Sequence, residues 1–303
     1  MAEVVVVGQV ARDLVLRVAE FPAPGGAAPA GERRELLGGK GANQAVGLRQ
    51  LGLDVALVGV VGTDRAGSDV LAQAVTDGID VSAVQRRGTT ALLLDVVDEH
   101  GTRRLVEHVP DEALLRPTDI RRAAGLFGGA ATVCLQLQQP PAALRAAARL
   151  AHDAGARIVL DGGIGGDARA ELLSLADVVR ADAVEAELLV GHGIRSVEYA
   201  RRAAGRLLGQ GLRLVALAVP DVGDLVFWHD GCALHPLAEG PVVDPTGAGD
   251  AFVAGLVAGL AAGLDERTAG ALGARAAAST VTRLGGRPDL TALRPTHPRA
   301  AVR

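Results

Sequence analysis

The chain has 303 residues, 49% of them hydrophobic, and a formal charge of −4 at neutral pH, enough to fill one large or two unequal compact domains with a substantial core. A mildly acidic chain with four Phe, one Trp and one Tyr lacks the basic surface and stacking rings of nucleic-acid binders, so no such partner is expected. Cys134 and Cys232 lack metal-ligand spacing, MAEVVVVGQVARD lacks a basic flank or cleavage site, and the apolar run Ala251 to Leu264 is too short to span a bilayer; the expectation is a cytoplasmic protein without a membrane partner.

In chain order, EVVVVG predicts a strand, residues 41–51 a helix, DVALVGVV a strand and 66–77 a helix stopped near Gly78. The rhythm then changes. ALLLDVV and RRLVEHV, joined by DEHG, predict a hairpin, and residues 10–37 read as strand-like and rich in Gly and Pro. Two such insertions predict one accessory sheet. From residue 117 the alternation resumes: a helix, TVCLQL, the helix 141–153, ARIVLD, a helix from 168, DVVRAD, helices 183–190 and 196–209, LRLVALAV and DLVFW. Helices 248–262 and 266–282 follow, with Gly255, Gly259 and Gly263 spaced for close helix packing, and the proline-containing tail from Pro288 reads as a surface segment. This alternation is the pattern of an α/β protein built from βαβ units. Ligands bind such sheets outside the carboxyl ends of the strands, where Asp13, the 38–43 loop, Gln138, Asp161 and Asp182 fall.

The stretch VVDPTGAGDAFVAGL carries the chemistry. Pro245 fixes the chain before a turn, and Gly247, Ala248 and Gly249 free backbone N–H groups at a helix start, where the helix dipole is positive: an anion hole. Asp250 then stands in the first helical turn, within reach of a hydroxyl attacking a phosphoryl group held there, and the small residues leave room for that group. Lys40 is the other marked residue, the single lysine among 31 basic residues, set in LLGGKGANQA. A compact ammonium on a flexible stem suits a tight phosphate or hydroxyl pocket that arginine's planar fork does not fit.

GGKGANQA at 38–45 and DPTGAGDAF at 244–252, with GQVARD at 8–13 and STVTRLGGRPD at 279–289, resemble in order and spacing the four motifs of the ribokinase-like, or PfkB, carbohydrate kinases. The resemblance covers nearly the whole chain. It implies a Rossmann-like, doubly wound, mostly parallel sheet flanked by helices, formed by 1–9, 38–87 and 111–303, with a small β-sheet lid from 10–37 and 88–110. The apolar residues of ALLLDVV exceed what one face of a small sheet buries, and an open edge invites pairing, so a homodimer through the lid is expected. The resemblance implies ATP-dependent phosphorylation of a primary hydroxyl of a pentose such as ribose, with Mg2+ on the ATP and K+ as activator. A nucleoside or other carbohydrate is the alternative acceptor; a catalytically weak binding or regulatory protein on the same fold is a third reading. A nicotinamide-dependent oxidoreductase is disfavoured, since GQVARD lacks the glycine spacing that brings backbone to a pyrophosphate.

Carried over by position, the resemblance makes Asp250 the base and Gly247, Ala248 and Gly249 the stabilisers of the moving phosphoryl group. Asp13, Gly39, Lys40, Gly41, Asn43 and Gln138 become sugar ligands. Asp182, Glu185, Ala218, Pro220, Gly223, Gly249 and Ala274 become nucleotide-side residues, with Glu185 touching Mg2+ indirectly. Asp244, Thr246 and Asp289, with carbonyls of the 280–286 loop, hold the monovalent cation. Several positions depart from the family's pattern. Gln138 replaces a glutamate, Asp182 an asparagine, Asp161-Gly162-Gly163 an N-P pair, Ala218-Val219-Pro220 a T-L-G, and Ala274 an asparagine or histidine beside adenine. An acid at 182 either binds metal directly or repels phosphate.

Overall fold

Strand β1 (Val4–Val7) sends Val5 and Val7 into one core and Val4 and Val6 into another. Burial on both faces is why it reads as an unbroken β-branched run. A computed structural model describes residues 2–295. After β1 the chain leaves the main sheet for β2 (Ala11–Val18) and β3 (Ala30–Gly38), then returns through α1 (Lys40–Gln50) to β4 (Val55–Val58). The DVALVGVV segment is not one strand. It breaks at Gly59, and β5 (Val60–Val61) pairs instead with β6 (Gln85–Arg86), across α2 (Arg65–Thr76). A Cβ at Gly59 would stand 2.5 Å from the Val10 side chain.

β7 (Ala91–Val97) and β8 (Arg103–His108) form the hairpin, and the order β3-β2-β7-β8 makes a separate four-stranded sheet. Helices α3 (Pro117–Arg122) and α4 (Ala124–Phe127) lead to β9 (Thr132–Gln136), α5 (Pro141–Asp153), β10 (Arg157–Asp161), α6 (Asp167–Leu175) and β11 (Val178–Ala181). Next come α7 (Glu185–Val190), α8 (Val197–Leu208), β12 (Leu214–Val219) and β13 (Gly223–Trp228). A strand that the sequence reading lacked, β14 (Gly231–Pro236), precedes α9 (Ala248–Ala261) and α10 (Glu266–Thr280).

The main sheet runs β14-β13-β12-β11-β10-β9-β1-β4, parallel from β4 to β12 and antiparallel at β13 and β14. Strand order reverses at β1, so the crevice beyond β1 and β9 is where a ligand site is expected. One core packs β-strand residues against α3, α5, α6 and α8; the other packs them against α1, α2, α9 and α10. Close helix approach holds at two of the three spaced glycines: a Cβ would come within 2.7 Å of Leu272 O at Gly255 and 2.8 Å of Ala269 Cα at Gly259. Gly263 plays no part, lying past the helix end at φ 77° in open space. The segment at Pro288 is also not superficial. Leu290 is fully buried, and the Gln50 side chain donates to Pro288 O at 3.0 Å and accepts from Leu290 N at 2.8 Å. The rest of that tail, 296–303, lies outside the described residues. No helix among those described is long and apolar enough to cross a membrane.

Candidate functional site

Where β1 ends, a cavity of about 370 Å³ opens between the main sheet and the inner face of the four-stranded sheet. Its wall includes Asp13 from β2, Lys40 and Asn43 from the start of α1, and Thr246 to Asp250 at the start of α9. The motif residues, more than 200 positions apart, thus converge. Gly39 and Gln138 also line the cavity. Gly41 does not: a Cβ there would lie 2.7 Å from the Gly8 carbonyl carbon, so its smallness lets α1 approach the end of β1.

The GAG run is small for reasons that the sequence reading gave only in part. Gly247 is the N-cap of α9 at φ 73°, a left-handed conformation, and a Cβ on it would collide with the Gly286 carbonyl. A Cβ on Gly249 would stand 2.6 Å from the Arg180 guanidinium. At the helix start Ala248 N–H donates to Pro245 O at 3.4 Å, while the N–H groups of Gly249 and Asp250 have no carbonyl partner one turn back, and these residues line this end of the cavity.

Asp250 is 6% exposed. Asn43 Nδ2 donates to its Oδ2 at 3.0 Å, and Gln44 Nε2 bridges it to Asp161, at 3.5 Å from Asp250 Oδ1 and 2.8 Å from Asp161 Oδ2. Burial and the Asp161 charge push the Asp250 carboxyl up to about 7, against Lys40, Asn43 and Arg180. Asp161 is itself raised by burial. Asp13, 2% exposed, is pushed up to about 8 by burial and by Asp95 and Asp250, although Gly39 N–H supports its ionised form. Lys40 forms an ion pair with Glu185. Burial opposes the Lys40 charge, but the carboxylates of Asp161, Glu185 and Asp250 outweigh it and raise the Lys40 pKa.

Asp182 and Glu185 cap α7 reciprocally: Asp182 Oδ1 accepts from Val184 N and Glu185 N, and Glu185 Oε2 accepts from Asp182 N at 2.9 Å. An aspartate thus makes the bonds that an asparagine oxygen would make. Gln138 Oε1 accepts from Gln136 Nε2 at 2.9 Å, leaving its amide N–H groups as donors to a ligand. Asp182, Ala218, Pro220 and Gly223 line a second crevice with Asp221, Asp224 and Leu237. Ala274 lines neither cavity and packs on the core beneath α10.

Asp244 is fully buried and both oxygens are engaged: Oδ1 accepts from Thr246 N and Oγ1, and Oδ2 from Gly285 N at 2.8 Å. It ties the α9 entry to the 280–286 loop. Asp289 stands apart from this cluster, exposed and paired with Arg283. Among the described residues no group of three or more His, Cys, Asp or Glu could hold a metal ion.

Five site residues escaped the sequence reading. Asp95, Arg103 and Glu107 face the cavity from β7 and β8, Arg103 being paired with Asp95; Gln44 follows Asn43; Arg180 lies near the end of β11. A charged residue inside an apolar strand, as in ALLLDVV and DVVRAD, is the signal that could have found Asp95 and Arg180.

Residues 1–293 match the family model for pfkB family carbohydrate kinases. The chain is 27% identical over 290 residues to a ribokinase of Haemophilus influenzae, covering 94% of each chain. It is 31% identical over 264 residues to an ATP-dependent ribose-1-phosphate kinase of Halopiger xanaduensis, covering 85% of this chain and 84% of that one. Arabidopsis thaliana ribokinase, solved with ribose and ATP, shares the fold with a TM-score of 0.79 at 24% identity, over 96% of this chain and 97% of the other.

Proposed function

We propose that this chain, which belongs to the pfkB family of carbohydrate kinases, transfers the γ-phosphoryl group of ATP to a primary hydroxyl of a pentose such as ribose. The observation that carries this reading is the position of Asp250: a buried carboxylate, raised to about 7, in the first turn of α9 directly after Gly249 and inside the cavity that holds Asp13 and Asn43. A base near neutrality takes a hydroxyl proton efficiently. With the sugar's hydroxyls bonded to Asp13, Asn43 and the Gln138 amide, the primary hydroxyl gives its proton to Asp250 as its oxygen attacks in line. The N–H groups of residues 247–249 take the phosphoryl charge.

The nucleotide lies along the second crevice, past Asp182, Ala218, Pro220 and Gly223. Bound with the phosphates, Mg2+ would neutralise their charge, and such an ion needs only one or two carboxylates besides phosphate oxygens and water. Lys40 and Asp182 engage both Glu185 oxygens, so a contact of Glu185 with that ion runs through water. Loop carbonyls at Thr246 and 280–286 would hold a potassium ion, with Asp244 fixing the loops. The four-stranded sheet excludes water from the cavity, and its outer face pairs with a second copy.

A different carbohydrate acceptor is the second reading. The Asp95–Arg103 pair favours it by placing charge on the cavity face of the sheet. A coupled ADP-release assay over pentoses, hexoses, nucleosides and sugar phosphates distinguishes them. Release with ribose above all others supports the first reading, preference for a charged sugar the second, and no acceptor-dependent release overturns both.

A further inference from the structure

Arg180 is the charged residue of β11, a strand in the interior of the main sheet. It is 8% exposed and lines the cavity. Its guanidinium lies against Gly249, the residue before Asp250, where the absent Cβ makes room for it. Its links are loose: Nη1 is 3.5 Å from Asp161 Oδ1 and 3.6 Å from Glu185 Oε2, and Nε is buried without a partner. A guanidinium offers five donors, so most of this one's capacity is unspent.

The surrounding charges sharpen the point. Asp182, Asp221 and Asp224 line the adjoining crevice, which has no cation among its described lining residues, and Lys40 is occupied by Glu185. Of the cavity's three cations, Arg103 is held by Asp95 on the far sheet, which leaves Arg180 beside the start of α9. Burial opposes its charge, and Asp161, Glu185, Asp224 and Asp182 more than compensate, so it stays protonated. A planar fork with free donors next to a helix N-terminus matches an anion carrying three oxygens.

Resting on the proposed kinase reaction, we propose that Arg180 is a catalytic residue whose guanidinium binds the transferring phosphoryl group beside the N–H groups of α9, with Asp161 as its positioning residue. The bond from phosphorus to the β-phosphate oxygen breaks and its electron pair leaves on ADP. The acceptor oxygen bonds to phosphorus and its proton passes to Asp250. Arg180 exchanges no proton; it neutralises charge as the group moves, the role in which an arginine is worth about 10³-fold or more in other phosphoryl transfers.

The test compares nucleotides that differ only in the third phosphate. In Arg180→Gln, calorimetry should show Mg·AMP-PNP binding weakened about tenfold and Mg·ADP binding changed less than twofold, with kcat down about 10³-fold. Arg180→Lys, keeping charge but losing the fork, should recover part of kcat. The double variant Arg180→Gln/Asp161→Asn removes the uncompensated acid and should remain as slow as the single one. Equal loss of ADP and AMP-PNP binding, or recovery of kcat in the double variant, would reduce Arg180 to a structural counter-ion and overturn the proposal, as would unchanged kcat in Arg180→Gln. If the wild-type chain phosphorylates no acceptor yet discriminates AMP-PNP from ADP through Arg180, the acceptor reading fails and the phosphate contact stands.

Discussion

Asn43 and Asp250, 207 residues apart in the chain, meet through a buried hydrogen bond in which the Asn43 amide donates to the carboxylate at 3.0 Å. That bond points one oxygen of Asp250 at a donor that cannot take its proton. The other faces Gln44 and, through it, Asp161. Asp250→Asn keeps the shape and removes the base, so kcat should fall by at least about 10²-fold while acceptor affinity changes little. Steady-state kinetics at saturating ATP check this, and an undiminished kcat would discard Asp250 as the base.

The carboxyl of Asp250 is raised to about 7, first by burial and next by Asp161. A carboxylate acting as the proposed base works ionised, so kcat/KM should climb from acid pH and level off above neutrality. Asp161→Asn removes one of the two raising causes and should move that limb to lower pH. A pH profile of both proteins reads the difference, and superimposable limbs would dissociate Asp161 from the base.

Asp13 binds a proton in the native state up to about pH 8, whereas in the unfolded chain it loses it near its ordinary value of 3.8. The native state therefore holds more protons between those limits, and stability falls as pH rises through them. Asp13→Asn escapes this loss. Its melting temperature relative to wild type should rise from pH 5 to pH 9 by several degrees, on the order expected for about 4 kcal/mol in a chain of this size, while acceptor affinity drops. A gap independent of pH would mean that Asp13 is ionised in the fold.

Potassium should raise the rate of carefully desalted enzyme, because one buried carboxylate, Asp244, holds the α9 entry to the 280–286 loop where the proposed cation would order both. Asp244→Ala strands three donors at about 1–3 kcal/mol each and should abolish both the response and much of the stability. Rates that are equal with and without potassium would remove the cation from the mechanism.

On the outer face of the four-stranded sheet, Leu14 stands beside Leu94 and Leu94 beside Val106, with Leu16 next to Val96. Val106 is 64% exposed and the others are partly so. A second copy laid on this face would cover it, and light scattering at micromolar concentration should report a dimer that Leu94→Arg converts to monomer. A monomeric wild type would refute the pairing without touching the sheet's place over the cavity.

The layout is legible in the residue order: runs such as EVVVVG and ARIVLD with amphipathic stretches between them specify a two-faced sheet, because burial on both sides demands continuous apolar residues. The sequence by itself also placed Asp13, Lys40, Asn43 and Asp250, since turn glycines and a helix start at fixed spacing are local features. DVALVGVV hid its break at Gly59, and GCALHP hid β14, because both depend on what packs alongside. Only the tertiary structure decided that Arg180 lies against Gly249, that Gln44 bridges two acids, and that Asp289 turns away to Arg283. Those facts are sums of charge, burial and distance over residues remote in the chain. Electrostatic coupling depends on separation in space and on the exclusion of water, and neither quantity is written in the order of residues.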